Sequence, residues 1–251
     1  MTLPEFFEQH PKAALAFSGG VDSAWLLCAG LRCGAKLKPY YVKTQFQPEF
    51  EYRDAMRLCG TLGVEPRVLR LDALCDESVR RNGPDRCYHC KINIMSTIRA
   101  AAGKDGYELL LDGTNASDDS GDRPGMRALT ELGILSPLRL CGLTKPQIRR
   151  LSREAGLFTW DKPAYACLAT RVRTGEVITE ERLRRIEAAE DALFRMGYTD
   201  LRVRTSGERA LLQFPAEQLP RAQREREEIL SRLSAWFAQV EIDQEGRAKS
   251  L

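Results

Sequence analysis

Ser18-Gly19-Gly20-Val21-Asp22-Ser23 gathers glycines, hydroxyls and a carboxylate into one short stretch. Adjacent glycines let backbone N–H groups approach an anion closely. The apolar run Ala24-Trp25-Leu26-Leu27 behind them predicts a helix whose positive end points at the same spot. Ser18 and Ser23 add hydroxyl donors, and Asp22 offers a carboxylate able to hold a divalent cation beside phosphate. The Gly-Lys-Ser/Thr of an ordinary P-loop is missing, so the stretch implies a different phosphate cradle. A second reactive group is Cys87-Tyr88-His89-Cys90, at the mouth of a predicted helix and after the turn signal Asn82-Gly83-Pro84-Asp85. A helix N-terminus favours thiolate, and the spacing lets both sulfurs face one ligand. A redox disulfide, half a zinc site and two ligands of an iron–sulfur cluster all fit this pair. Zinc asks for two more ligands, and the chain has neither a second CxxC nor a spaced histidine pair, only His10 and His89. Cys167 is a third thiol, in the irregular stretch Lys162-Pro163-Ala164-Tyr165-Ala166-Cys167, with Arg171 near enough in sequence to favour its thiolate. Cys28, Cys33, Cys59, Cys75 and Cys141 sit among apolar residues and read mostly as small core hydrophobes.

The elements that must position these groups alternate. Strand-like runs fall at Ala13–Phe17, Lys38–Lys43, Pro66–Leu71 and Glu108–Leu111, with helical patterns at Asp22–Leu31, Phe50–Leu62 and Lys91–Ala102. Such alternation predicts an α/β fold, a parallel doubly wound sheet with ligands at the strands' C-terminal ends. One such end is the Ser18–Ser23 loop. The other is Asp112-Gly113-Thr114-Asn115-Ala116-Ser117-Asp118-Asp119, where Gly113 and Asp118 are further candidates for nucleotide and cation. Residues 144–156 predict a helix with Thr144 as N-cap, Pro146 in the first turn and Gly156 as stop. From Thr179 the order becomes a helix (Glu180–Met196), two strands (Leu201–Thr205, Ala210–Phe214), a long helix (Ala216–Phe237) and a strand near Gln239–Ile242. We therefore expect a nucleotide-binding domain over 1–172 and a small α+β domain over 173–251. The polar tail Gln244–Leu251 is expected to fray.

Bulk composition sets outer limits. The 251 residues, 43% apolar and 29% charged, suit a soluble globular chain with a sizeable core. A net charge of +3 does not by itself argue for nucleic acid. No run reaches the roughly 20 apolar residues of a membrane span. The start Met-Thr-Leu-Pro-Glu-Phe-Phe-Glu lacks a basic n-region, so a cytoplasmic location is expected.

Taken together, Ser18–Ser23, Cys87-x-x-Cys90, DGTNASDDSGDRPG, GLTKPQIRRLSREAGL, WDKPAYACLATR and LRVR resemble one family over nearly the whole chain. It is LarE, the ATP-dependent sulfur transferases of nickel-pincer nucleotide cofactor biosynthesis, within the PP-loop superfamily of enzymes that cleave ATP to AMP and pyrophosphate. The resemblance implies a PP-loop fold in which ATP and Mg²⁺ bind at Ser18, Gly19, Gly20, Val21, Asp22, Ser23, Gly113 and Asp118. A carboxylate of a pyridinium dicarboxylate mononucleotide is adenylylated, and sulfur then replaces AMP to give a thiocarboxylate. In one branch Cys167 itself gives up the sulfur. In another, Cys87 and Cys90 join Cys167 to hold a 4Fe-4S cluster, and this chain is assigned to that branch. Three thiolate ligands leave one iron with the exchangeable site a sulfide donor needs. Arg202 and Arg204, alternating on one strand, match the basic pair for the substrate phosphate, with Arg171 as a further cation at the reacting centre. The expected partners are the nucleotide substrate, a sulfide donor and further copies of the chain, and neither nucleic acid nor membrane.

Three features depart from the pattern: Thr170 stands where many members have serine, Ala210-Leu211-Leu212-Gln213-Phe214 lacks the acidic residue of a metal site there, and Lys43-Thr44-Gln45-Phe46-Gln47 differs from the commoner version, which leaves room for a variant substrate. A competing enzyme class is the PP-loop tRNA thiolase, which would want a basic RNA-binding face. The stretch Arg221–Arg232 instead mixes arginines with Glu225, Glu227 and Glu228, as a solvated helix does. A non-catalytic nucleotide or metal sensor is the third class, and turnover of ATP to AMP separates it from the other two.

Overall fold

The protein is described by a computed structural model covering residues 1–118 and 124–247. Asp119, and the last four residues of the tail expected to fray, lie outside the described residues. The chain divides into two compact units, the first made of Met1–Thr44, Glu49–Ala73 and Asp85–Lys162. The second takes Gln45–Pro48, Leu74–Pro84 and the chain from Pro163 onward.

In the first unit, β1 (Lys12–Ala16), β2 (Lys36–Lys43), β3 (Arg67–Arg70) and β4 (Leu110–Leu111) form a parallel sheet in the order β3-β2-β1-β4. Leu135 extends the β4 edge through a parallel bridge to Leu111. The two-residue period of the strands sorts their side chains between two cores. Ala13, Leu15, Leu37, Tyr41 and Leu111 enter one, which α1 (Leu3–Gln9), α2 (Val21–Arg32) and α3 (Glu49–Thr61) complete. Ala14, Tyr40, Val42 and Leu110 enter the other. After the short α4 (Glu77–Arg80) of the second unit, α5 (Arg86–Lys104) and α6 (Pro124–Glu131) cover that second face. The short α7 (Pro137–Leu140) and α8 (Lys145–Glu154) return to the first core through Leu138 and Ile148. The sheet is thus doubly wound, as the alternation predicts. Because β1 has β2 on one side and β4 on the other, the loops after β1 and β4 leave the sheet where the strand order reverses.

In the second unit, α9 (Glu180–Arg195) precedes β5 (Arg202–Ser206) and β6 (Arg209–Gln213). These are an antiparallel pair whose tight turn uses Gly207 at φ +56. Helices α10 (Leu219–Arg224) and α11 (Arg226–Leu233) lead to β7 (Gln239–Ile242), parallel to β6.

Three expectations need correction. The long helix over Ala216–Phe237 is two helices, because Glu225 leaves helical geometry at ψ 14, where Tyr198 and Arg221 donate to its carboxylate at 2.8 Å each. Helix α5 starts at Arg86 rather than Lys91, so Cys87 falls in its first turn and Cys90 at the start of its second. Cys28 and Cys59 are core residues as expected, whereas Cys33 and Cys75 are exposed and Cys141 is half-buried. Cys33 is the C-cap of α2, where the chain turns back to solvent.

Candidate functional site

Strand β1 ends in the core and releases the chain into Ser18–Ser23, whose geometry depends on glycine at two close approaches. Gly19 has φ +77, and a Cβ there would lie 2.7 Å from Ala55 Cβ on α3. A Cβ on Gly113, in the loop after β4, would lie 2.9 Å from Ser23 N at the start of α2. The hydroxyls brace the turn. Ser18 N–H donates to Ser23 Oγ (3.3 Å), Ser23 Oγ donates to the Gly20 carbonyl (3.2 Å), and Gly20 N–H donates to Ser18 Oγ (3.3 Å). Gly20 is the N-cap of α2 and has no side chain to occupy the first-turn N–H groups of that helix. Such an end is suited to an anion.

Asp22 is the centre of a small polar network within the first unit. Lys145, the first residue of α8, donates from Nζ to Asp22 Oδ2 at 2.6 Å, and Asn115 Nδ2 donates to Asp22 Oδ1 at 3.3 Å. Asp118 closes the β4 loop by accepting from Asn115 N–H at 2.9 Å, and Ser117 Oγ accepts from Lys145 N–H at 2.9 Å. Desolvation lifts the Asp22 carboxyl above its ordinary value against the pull of Lys145, with Asp118 adding repulsion and Arg149 opposing it. Arg149, one turn along α8 from Lys145, donates to the carbonyls of Trp160 (2.6 Å) and Lys162 (2.9 Å). Its Nε is buried without a hydrogen-bond partner among the described residues. Sequence reasoning assigned no role to Lys145, Asn115 or Arg149. Lys145 did carry a signal, since a cation in the first turn of a helix opposes the macrodipole and needs another reason to be there.

The thiols divide between the units. Cys87 and Cys90 stand one turn apart at the start of α5, Cys87 exposed and Cys90 half-buried, with Arg86 Nη2 donating to Cys87 Sγ at 3.4 Å. Tyr88 between them donates to Glu131 of α6 at 2.6 Å. Cys167, in the second unit, caps a short 3₁₀ turn, Leu168–Arg171, and is half-buried. Its backbone is held firmly, because Thr170 N–H and Oγ1 donate to the Cys167 carbonyl at 2.9 and 2.8 Å and Leu168 N–H donates to the Phe46 carbonyl at 2.9 Å. Among the described residues, no group of three or more His, Cys, Asp or Glu is arranged to hold a metal ion. The three-thiolate cluster therefore rests on the resemblance.

Arg171 is buried, with 1% of its side chain exposed, and its Nε donates to the equally buried Glu190 at 2.8 Å. Nη1 donates to the Ala166 carbonyl (3.1 Å) and Thr170 Oγ1 (2.9 Å), so Arg171 grips both sides of Cys167. Burial draws the guanidinium down, but Glu190, Tyr165 and Cys167 together hold it above its ordinary value. Glu190 also accepts from Tyr165 Oη and from Val203 N–H. Its place on the apolar stripe Leu183, Ile186, Leu193 of α9 was a legible sign of a buried, partnered acid.

Arg202 and Arg204 lie on β5, half-buried and exposed respectively. Arg204 Nε donates to Gln213 Oε1 at 2.6 Å, and its Nη1 reaches the Thr170 carbonyl at 3.3 Å. Desolvation lowers both guanidinium pKa values, and the positive charges of Arg171 and Arg247 lower them further. The β5 strand thus carries mutually repelling cations.

A parallel sheet whose strand order reverses beside Ser18–Ser23 is consistent with the PP-loop fold, and likeness to a thiocarboxylate synthase and to tRNA thiolases makes the chain an ATP-dependent sulfur transferase of that class. The chain is 34% identical over 220 residues to an uncharacterized protein of Synechocystis, slr1717, covering 86% of this chain and 81% of that one. It is 29% identical over 220 residues to the pyridinium-3,5-bisthiocarboxylic acid mononucleotide synthase of Lactiplantibacillus plantarum, covering 87% of this chain and 80% of that one. The chain belongs to the family of the Synechocystis protein, and its motifs resemble those of LarE, in keeping with the likeness to the Lactiplantibacillus synthase. It is also 25% identical over 189 residues to the tRNA-specific 2-thiouridylase MnmA of Thermotoga petrophila, covering 58% of this chain and 52% of that one. No family model matches the chain. Among the described residues, no helix is long and apolar enough to cross a membrane.

Proposed function

We propose that this enzyme adenylylates a carboxylate of a pyridinium dicarboxylate mononucleotide and exchanges AMP for sulfur, giving a thiocarboxylate for a nickel-pincer cofactor. The observation that carries this reading is similarity to a synthase of that product along 87% of the chain. The match to the tRNA thiolase spans only 58% of the chain, which makes RNA the weaker candidate substrate.

The chain's own groups divide the work. The N–H groups at the start of α2, with Ser18 and Ser23, hold the ATP phosphates while the substrate carboxylate attacks the α-phosphorus and pyrophosphate leaves. Asp22 and Asp118 offer the pair of carboxylate oxygens that Mg²⁺ takes beside phosphate, and the ion would offset charge on the departing pyrophosphate. Arg202 and Arg204 bind the substrate's phosphate as guanidinium donors. Cys87, Cys90 and Cys167 are the thiolates assigned to a 4Fe-4S cluster; all three are thiols with some exposure, the donor type such clusters take. When bound, the cluster supplies an iron with an exchangeable position for sulfide. Arg171, buried beside Cys167, fixes the loop that presents that thiol. A sulfide donor, association of copies of the chain and a cytoplasmic setting belong to the same reading.

The test is anaerobic purification followed by iron and sulfide analysis and assay of AMP, pyrophosphate and thiocarboxylate. About four irons per chain are expected, and changing Cys87, Cys90 or Cys167 to Ala should abolish the cluster and multiple turnover together. Full activity in the Cys87→Ala and Cys90→Ala variants, with one sulfur lost from Cys167 per chain, would establish sacrificial use of Cys167 instead. Release of ADP and phosphate would overturn the whole reading.

A further inference from the structure

We propose that Lys162 is a positioning residue for the sulfur-transfer half of the reaction, fixing the point from which the Cys167 segment leaves the nucleotide-binding unit. Lys162 Nζ donates to Glu51 Oε2 at 2.9 Å and to Asp54 Oδ2 at 2.7 Å, both on α3, and its side chain is only 14% exposed. It also lies 5.6 Å from the Phe50 ring centroid. A lysine so enclosed, sharing two carboxylates, is held far more tightly than a surface ion pair. Its backbone is held as well, since Arg149 of α8 donates to the Lys162 carbonyl at 2.9 Å.

Both grips lead back to the nucleotide cradle. On α3, Ala55 follows Asp54 directly and is the residue a Gly19 Cβ would meet at 2.7 Å. On α8, Arg149 follows Lys145 by one turn and exerts its charge on Asp22. Lys162 is the last residue of the first unit, Pro163 stiffens the exit, and Cys167 comes five residues after Lys162. An extended chain of that length reaches at most about 17 Å. Anchoring Lys162 therefore fixes the point from which the chain runs to Cys167, and any displacement of α3 or α8 would carry that starting point with it. The Lys145–Asp22 pair and the close approach of Ala55 to Gly19 do not involve Lys162, so adenylylation is not expected to depend on the lysine.

This inference rests on the proposed function, and the experiment keeps the two separable. In wild type, substrate-dependent ATP–pyrophosphate exchange tests the reading itself, using pyridinium-3,5-dicarboxylate mononucleotide. In Lys162→Met, exchange should stay within twofold of wild type while thiocarboxylate formation falls tenfold or more. Lys162→Arg, which keeps a long cation, should recover most of that loss. Iodoacetamide labelling of the full chain, read by peptide mass, should show a changed rate at Cys167 in Lys162→Met and an unchanged rate at Cys33. Should Lys162→Met fold poorly, Asp54→Asn removes one of the two anchors and should give the same split more weakly. Parallel loss of both half-reactions, or no loss in either with an unaltered Cys167 rate, would overturn the inference while leaving active wild type as support for the function.

Discussion

Lys145 Nζ stands 2.6 Å from Asp22 Oδ2, joining the first turn of α8 to the first turn of α2. A lysine at a helix N-terminus opposes the macrodipole by some tenths of a kcal/mol, and here the aspartate it meets offsets that cost. The pair brings two helix N-termini and a cation to the place where a triphosphate is expected to lie.

Asp22 should reveal itself through pH. Desolvation raises its carboxyl in the folded protein despite Lys145. The neutral form therefore favours folding. The stability it contributes is complete below the unfolded value of about 3.9 and is lost as pH rises through the folded value. Asp22→Asn mimics the neutral form, so its melting temperature relative to wild type should climb as pH rises from about 3.5 to 6, as thermal melts would show. Its adenylylation rate should fall by about a hundredfold or more. A variant whose melts track wild type at every pH would contradict the desolvation argument.

Gly113→Ala should damage the cradle from outside it. The new Cβ would meet Ser23 N at 2.9 Å, and backbone on both sides must move. A cost of about 1–3 kcal/mol in denaturant unfolding, with weaker ATP binding by calorimetry, is expected. Gly60→Ala, inside α3 with nothing within 4 Å of its Cβ, is the control of opposite sign, stabilising by about 0.5–1 kcal/mol.

Removing one partner of the Arg171–Glu190 pair leaves a buried charge alone. Arg171→Met should cost about 3–5 kcal/mol, and the double change with Glu190→Leu should recover part of it. Recovery stays partial because Val203 N–H loses its acceptor, the Glu190 Oε1 it reaches at 2.9 Å. Equal losses in the single and double variants, measured by urea unfolding, would show that the pair is not coupled.

For β5, the expectation is separation of two affinities. Each of Arg202→Ala and Arg204→Ala should weaken the mononucleotide substrate while leaving the ATP affinity within twofold. Neither should lower the melting temperature, because each removes a cation from a repelling group. Affinity measured at low and high salt should show a shallower salt dependence in both variants. Equal loss of both affinities would point to a structural effect.

What the sequence determined by itself is what short-range physics dictates. Period-two and helical patterns give the parallel sheet and its two cores, and paired glycines between a strand and a helix mark the turn that opens the N-terminus of α2. Cys167 lies in a proline-led irregular stretch, and the structure leaves it half-buried. Tertiary structure alone decided the partners. Asp22 meets Asn115 and Lys145 across 93 and 123 residues, and Lys162 meets Glu51 across 111. It also placed Arg171 in a buried ion pair with Glu190. Glu225 broke a helix whose own pattern was continuous, because Tyr198 and Arg221 hold its carboxylate. Periodicity records which face of an element is buried. It does not record which distant charge will be waiting there, because that depends on how the elements stack, and only the folded chain fixes the stacking.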